Sequence, residues 1–139
     1  MKLSTIITFA FASAASAQYQ YYRITAVESD TWLKTFPGEG APLVLDNNFA
    51  SLYERWTITP QDGGYVMKNE GTNTFISCDE ESCKSAANPT VFNVQQQDFT
   101  HIVLNPSTGL VWTASGGRII PAENNGSPEQ RFTITPDEH

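Results

Sequence analysis

The chain has 139 residues, 15 of them acidic and 8 basic, giving a formal net charge of −7 with only 17% charged side chains. That length suits one domain of the roughly 100–200-residue class. The acidic balance excludes a nucleic-acid partner, because phosphate neutralisation needs clustered Lys and Arg.

At the N-terminus, Lys2 precedes the apolar run Ile6-Ile7-Thr8-Phe9-Ala10-Phe11-Ala12, and small residues then lead to Ala15-Ser16-Ala17. A basic start, a short apolar segment and an Ala-x-Ala ending predict a secretory signal peptide over 1–17. The apolar segment is too short to span a bilayer of roughly 30 Å, so no membrane partner is expected. The rest of the chain, 18–139, is expected to be a single extracellular domain.

Three copies of one pattern follow. Tyr22-Arg23-Ile24-Thr25 is succeeded by Thr31-Trp32-Leu33-Lys34, Tyr65-Val66-Met67-Lys68 by Thr74-Phe75-Ile76-Ser77, and His101-Ile102-Val103-Leu104 by Val111-Trp112-Thr113-Ala114. Turn formers separate the members of each pair: Glu28-Ser29-Asp30, Glu70-Gly71-Thr72-Asn73 and Asn105-Pro106-Ser107-Thr108-Gly109. Ile24 and Trp32, Met67 and Phe75, and Leu104 and Trp112 are each eight residues apart. On that spacing Trp32, Phe75 and Trp112 are expected to be equivalent core aromatics.

Each copy also closes alike. Arg55-Trp56-Thr57-Ile58-Thr59-Pro60 returns as Arg131-Phe132-Thr133-Ile134-Thr135-Pro136, with Val91-Phe92-Asn93-Val94 as the middle version. Alternation of apolar and polar residues marks half-buried strands. Further strands fit at Pro42–Leu45, Lys84–Ala87 and Ile119–Ala122. The expectation is all-β, with four strands in each of three repeats at about 22–64, 65–100 and 101–136.

Cys78 and Cys83 flank Asp79-Glu80-Glu81-Ser82. In an oxidising compartment they are expected to form a local disulfide. A metal site is the alternative; it would need further ligands, and His101 is the available nitrogen donor. No metal and no cofactor are expected.

Three four-stranded units of this kind resemble a β-trefoil. Gln130-x-Phe132 is similar to the Gln-x-Trp signature of ricin-B-like lectins, from which Glu54-x-Trp56 and Thr90-x-Phe92 depart. In size and strand spacing the chain also resembles fungal trefoil inhibitors of serine and cysteine proteases. The lectin resemblance implies a saccharide site in the third repeat, built from Asn105, Glu129 and Gln130, with Asn124 and Asn125 as further candidates. Ile120 stands at the platform position, where it cannot stack on a sugar as an aromatic ring would. Asn124-Asn125-Gly126-Ser127-Pro128 also reads as a plain loop of turn formers. The inhibitor resemblance implies an exposed inter-strand loop, for which Lys34, Thr35, Phe36 and Pro37 are the candidates. The partner is therefore expected to be a glycan or a secreted protease, met by a monomer. A third possibility is a secreted effector or wall-associated protein that binds another protein.

An enzyme is not expected. The histidines are His101 and His139, and the sequence contains no Gly-x-Ser-x-Gly elbow, His-Glu-x-x-His pair or P-loop. His101 stands where tyrosines begin the other two repeats, so a structural role in the sheet is favoured over general-base duty.

Overall fold

The computed structural model of the chain describes residues 21–47 and 52–137; the expected signal peptide and His139 lie outside them. Its strands fall into three sets of four. The first is β1 (Tyr21–Ala26), β2 (Thr31–Lys34), β3 (Val44–Asp46) and β4 (Trp56–Gln61). The second is β5 (Gly64–Asn69), β6 (Phe75–Cys78), β7 (Cys83–Ala86) and β8 (Asn93–Gln97). The third is β9 (Thr100–Asn105), β10 (Leu110–Ser115), β11 (Arg118–Ala122) and β12 (Phe132–Asp137). Single 3₁₀ turns at Leu52–Glu54 and Pro128–Gln130 precede the closing strands of the first and third sets.

The first and last strands of each set close into a ring. β12 pairs with β1 along its length, β4 with β5, and β8 with β9. Three narrow seams complete the circle at Tyr22–Trp56, Tyr65–Phe92 and His101–Phe132. His101 is thus the third-set counterpart of Tyr22 and Tyr65. At the second seam β5 approaches β8 so closely that a Cβ on Gly64 would lie 2.5 Å from the Phe92 carbonyl oxygen, which accounts for glycine there. The hairpins β2–β3, β6–β7 and β10–β11 meet over one end of the ring, linked through Arg118–Val44 and Pro42–Lys84. Closing a sheet on itself pairs its edges and removes a template for aggregation.

Inside lie Ile24, Met67 and Val103, then Leu33, Ile76 and Trp112, and the closing aromatics Trp56, Phe92 and Phe132, all at or near zero exposure. Trp112 stands at the centre, edge-on to Phe92 at 5.3 Å and to Phe132 at 5.7 Å. The core spacing is therefore nine residues, not eight. Leu33 and Ile76 are the counterparts of Trp112, whereas Trp32 and Phe75 are half-buried on the outer face. A strand exposes alternate faces, so an alignment displaced by one residue exchanges inside for outside. Trp112 is the one aromatic at this core position; Leu33 and Ile76 fill it in the other two sets.

Candidate functional site

The same side-chain pair recurs in each set, immediately after the core positions Leu33, Ile76 and Trp112. Lys34 meets Glu54 (Nζ–Oε2 3.6 Å), Ser77 meets Thr90 (3.4 Å), and Thr113 meets Gln130 (3.1 Å). These pairs tie the second strand of each set to the segment leading into its closing strand. Gln130 has no exposed surface; its amide nitrogen Nε2 donates to Thr113 and to the Glu123 carbonyl, while its Oε1 accepts from the Asn125 backbone. Asn105 is also buried, donating to the Cys78 carbonyl and accepting from the Ser107 N–H. Both amides, expected on the sequence to meet a ligand, are consumed in holding loops. Buried polar groups must be satisfied, and here the protein satisfies them internally. Asn124 and Asn125 share the exposed loop before Pro128–Gln130, each forming a tight turn by accepting a backbone N–H two residues ahead; Glu129 is half-buried beside them.

The loop after β2 divides in two. Lys34 is buried, with its ammonium 2.8 Å from Asp46, and the buried Thr35 hydroxyl donates to the Pro42 carbonyl. Neither can serve as a reactive-loop contact, because an ion pair in one case and a hydrogen bond in the other hold it inside. Phe36 and Pro37 are exposed, with the Phe36 ring edge-on to Tyr53 at 5.9 Å. The remainder is fastened to the second set: Gly40 N–H donates to the Ser85 carbonyl, Ser85 N–H to the Ala41 carbonyl, and the Ser85 hydroxyl to the Gly38 carbonyl.

Cys78 and Cys83 form the disulfide across the β6–β7 turn. At its tip the backbone N–H of Glu81, with that of Ser82, holds the Asp79 carboxyl below its ordinary value of 3.8. His101 has the opposite kind of surroundings: burial pushes its imidazole below 6.5, opposed by the Phe132 carbonyl 3.3 Å from Nδ1.

A cleft of about 440 Å³ on the outer wall has room for a ligand. Its floor is a ladder set by strand register, Thr57 opposite Lys68 and Lys68 opposite Phe75. Thr59, Gln61 and Val66 extend that floor along β4 and β5, and Tyr21 forms a second aromatic wall. Glu70 and Asn73 form the rim. That rim is built by buried Asn69, which accepts from the N–H groups of Gly71 and Thr72 and donates to the Tyr53 carbonyl. Gly71 lies against the Tyr53 ring with no space for a Cβ, and Asn73 holds a left-handed backbone at φ 63°. The lining combines two aromatic rings with hydroxyl, amide and ammonium groups on paired strands. The inward register of Trp56, Ile58 and Met67 was the available sequence signal for it, since it turns Thr57, Thr59 and Lys68 outward.

No protein-family model matches the chain, and no curated protein matches its sequence. Solved structures do. The Rhizoctonia solani agglutinin superposes with a TM-score of 0.75 at 12% identity, covering 86% of this chain and 96% of its own. The Macrolepiota procera ricin B-like lectin, solved in complex with lactose, gives 0.73 at 13% identity, covering 84% and 94%. This chain is a β-trefoil. The trefoil also matches part of a larger enzyme, the GlcNAcα1-4Gal-releasing endo-β-galactosidase of Clostridium perfringens, with a TM-score of 0.77 at 12% identity over 86% of this chain and 33% of that one.

Proposed function

We propose that this β-trefoil is a secreted, non-enzymatic carbohydrate-binding module whose ligand occupies the cleft over Thr57, Lys68 and Phe75. The carrying observation is the Phe75 ring set among hydrogen-bonding groups on a paired, pre-ordered wall. A saccharide presents an apolar C–H face and a rim of hydroxyls. The ring accepts the first, and Thr57, Thr59 and Asn73 serve the second. Pre-ordering of the rim by Asn69 limits the entropy lost on binding. The lectin neighbours support this reading, and Glu70 is the cleft's carboxylate lining residue, whereas glycosidases generally need two. The Ala15-Ser16-Ala17 ending and the Cys78–Cys83 disulfide support export to an oxidising compartment.

A glycan array probed with wild type, Phe75→Ala and Asn125→Ala tests the assignment. Wild type and Asn125→Ala should bind alike while Phe75→Ala loses the signal. Binding that survives Phe75→Ala sinks the cleft, and loss confined to Asn125→Ala moves the site to the third-repeat loop. A second reading, protease inhibition, is favoured by the exposure of Phe36 and Pro37 on a loop anchored to Ser85. Phe36→Ala should then abolish inhibition without altering glycan binding.

A further inference from the structure

We infer that the ligand of this cleft is an acidic saccharide, with a carboxylate on or beside the sugar ring that stacks on Phe75. The inference rests on the cleft being the saccharide site.

The chain is strongly acidic, yet a cation stands in the middle of its cleft. Several other cations are matched: Arg23 and Arg55 share Asp137, and Lys34 has Asp46 and Glu54. Lys68 makes no ion pair among the described residues. It is half-buried between Thr57 and Phe75, with Nζ 5.8 Å from the Phe75 ring centroid. A sugar laid on that ring covers the ammonium and strips part of its water. Sugar hydroxyls can accept its hydrogen bonds but do not neutralise its charge. A carboxylate does both, through a short charge-assisted bond. Glu70 at the rim repels a carboxylate placed there, which orients the ligand's acid toward Lys68 and disfavours ligands with several charges.

The test compares galacturonic acid as its methyl glycoside, which carries a single carboxylate, with the methyl ester of the same glycoside, which keeps the sugar and removes the charge. Calorimetric titration of the full domain should show about tenfold tighter binding of the acid. The difference should shrink as salt is raised, because a half-exposed pair is screened. Lys68→Gln should bind acid and ester equally, and Lys68→Arg should keep the preference; melting curves of both variants verify that they fold. Equal wild-type affinities, failure of the acid to bind, or a preference that survives Lys68→Gln overturns the inference. The cleft itself is judged separately: neutral glycans lost on Phe75→Ala uphold it when the acid preference fails, and binding indifferent to Phe75→Ala rejects it.

Discussion

The outer walls of the first and second repeats carry the same ladder with different outcomes. In the second, Thr57, Lys68 and Phe75 lie side by side under an open cleft. In the first, the equivalent ladder is Thr133, Thr25 and Trp32, and the Arg23 guanidinium lies 3.6 Å above the indole. The position equivalent to Arg23 in the second repeat is Val66, which is short and cannot reach over the ring. The third repeat has Asn93, Leu104 and Val111, with no ring at all. One scaffold position thus gives a ring whose cation stands off at 5.8 Å, a ring covered at 3.6 Å and a plain packing surface. A diagonal neighbour, not the aromatic itself, decides whether a ring is offered to solvent.

The largest expected effect separates inward from outward tryptophans. Trp112→Ala removes the ring that Phe92 and Phe132 both pack against and should cost about 3–5 kcal/mol. Trp32→Ala removes a half-buried ring and one cation–π contact, and should cost about 1 kcal/mol. Urea unfolding of the two variants checks the ratio; comparable losses would mean that Trp32 belongs to the core after all.

Next come the recurring inner pairs. Lys34→Met leaves the buried Glu54 carboxylate without its cation and should cost about 3 kcal/mol. Thr113→Val removes a single partner from Gln130, which keeps Glu123 and Asn125, and about 1 kcal/mol is expected. Equal losses in denaturant titrations would show that the ionic version of the pair is no more demanding than the amide one.

The fold was far more legible than the site. Strand alternation and recurring turn formers marked the four-strand repeat, because those signals are local. The aromatics Trp56, Phe92 and Phe132 could be aligned because each stands in a closing strand of like pattern. The site depends on register, and the eight-residue spacing to the aromatics places Trp32 and Phe75 inside, one residue out of step with the observed strands. Once they were placed in the core, the groups beside them had no surface to serve. Asn105 and Gln130 misled for another reason: sequence reveals that an amide is present but not that a neighbouring carbonyl or N–H has already engaged it. Only folding brings Cys78 to Asn105, 27 residues away.

A smaller effect sharpens the comparison of the two outer rings. Arg23→Ser should uncover Trp32 while Arg55 continues to hold Asp137. Stability should fall by about 1 kcal/mol. The fraction of tryptophan fluorescence quenched by acrylamide should rise, since Trp56 and Trp112 stay buried. Unchanged quenching would mean that something besides Arg23 shields the indole.

The smallest effect concerns the third seam, where His101 replaces the tyrosines of the other two. Its imidazole is held below 6.5 by burial, so the unfolded chain binds a proton more readily than the folded one. Stability is therefore complete above 6.5 and is lost as the pH falls below that value through the depressed folded one. His101→Tyr copies the first two seams and removes this titration. Denaturation midpoints measured on either side of pH 6.5 should differ in wild type, falling on the acid side, and differ less in the variant: the wild type loses stability across the window and His101→Tyr holds it. Carboxylates that titrate at lower pH contribute equally to both proteins, so the difference between the two profiles isolates the imidazole. Parallel profiles would place the acid sensitivity of this barrel somewhere other than its third seam.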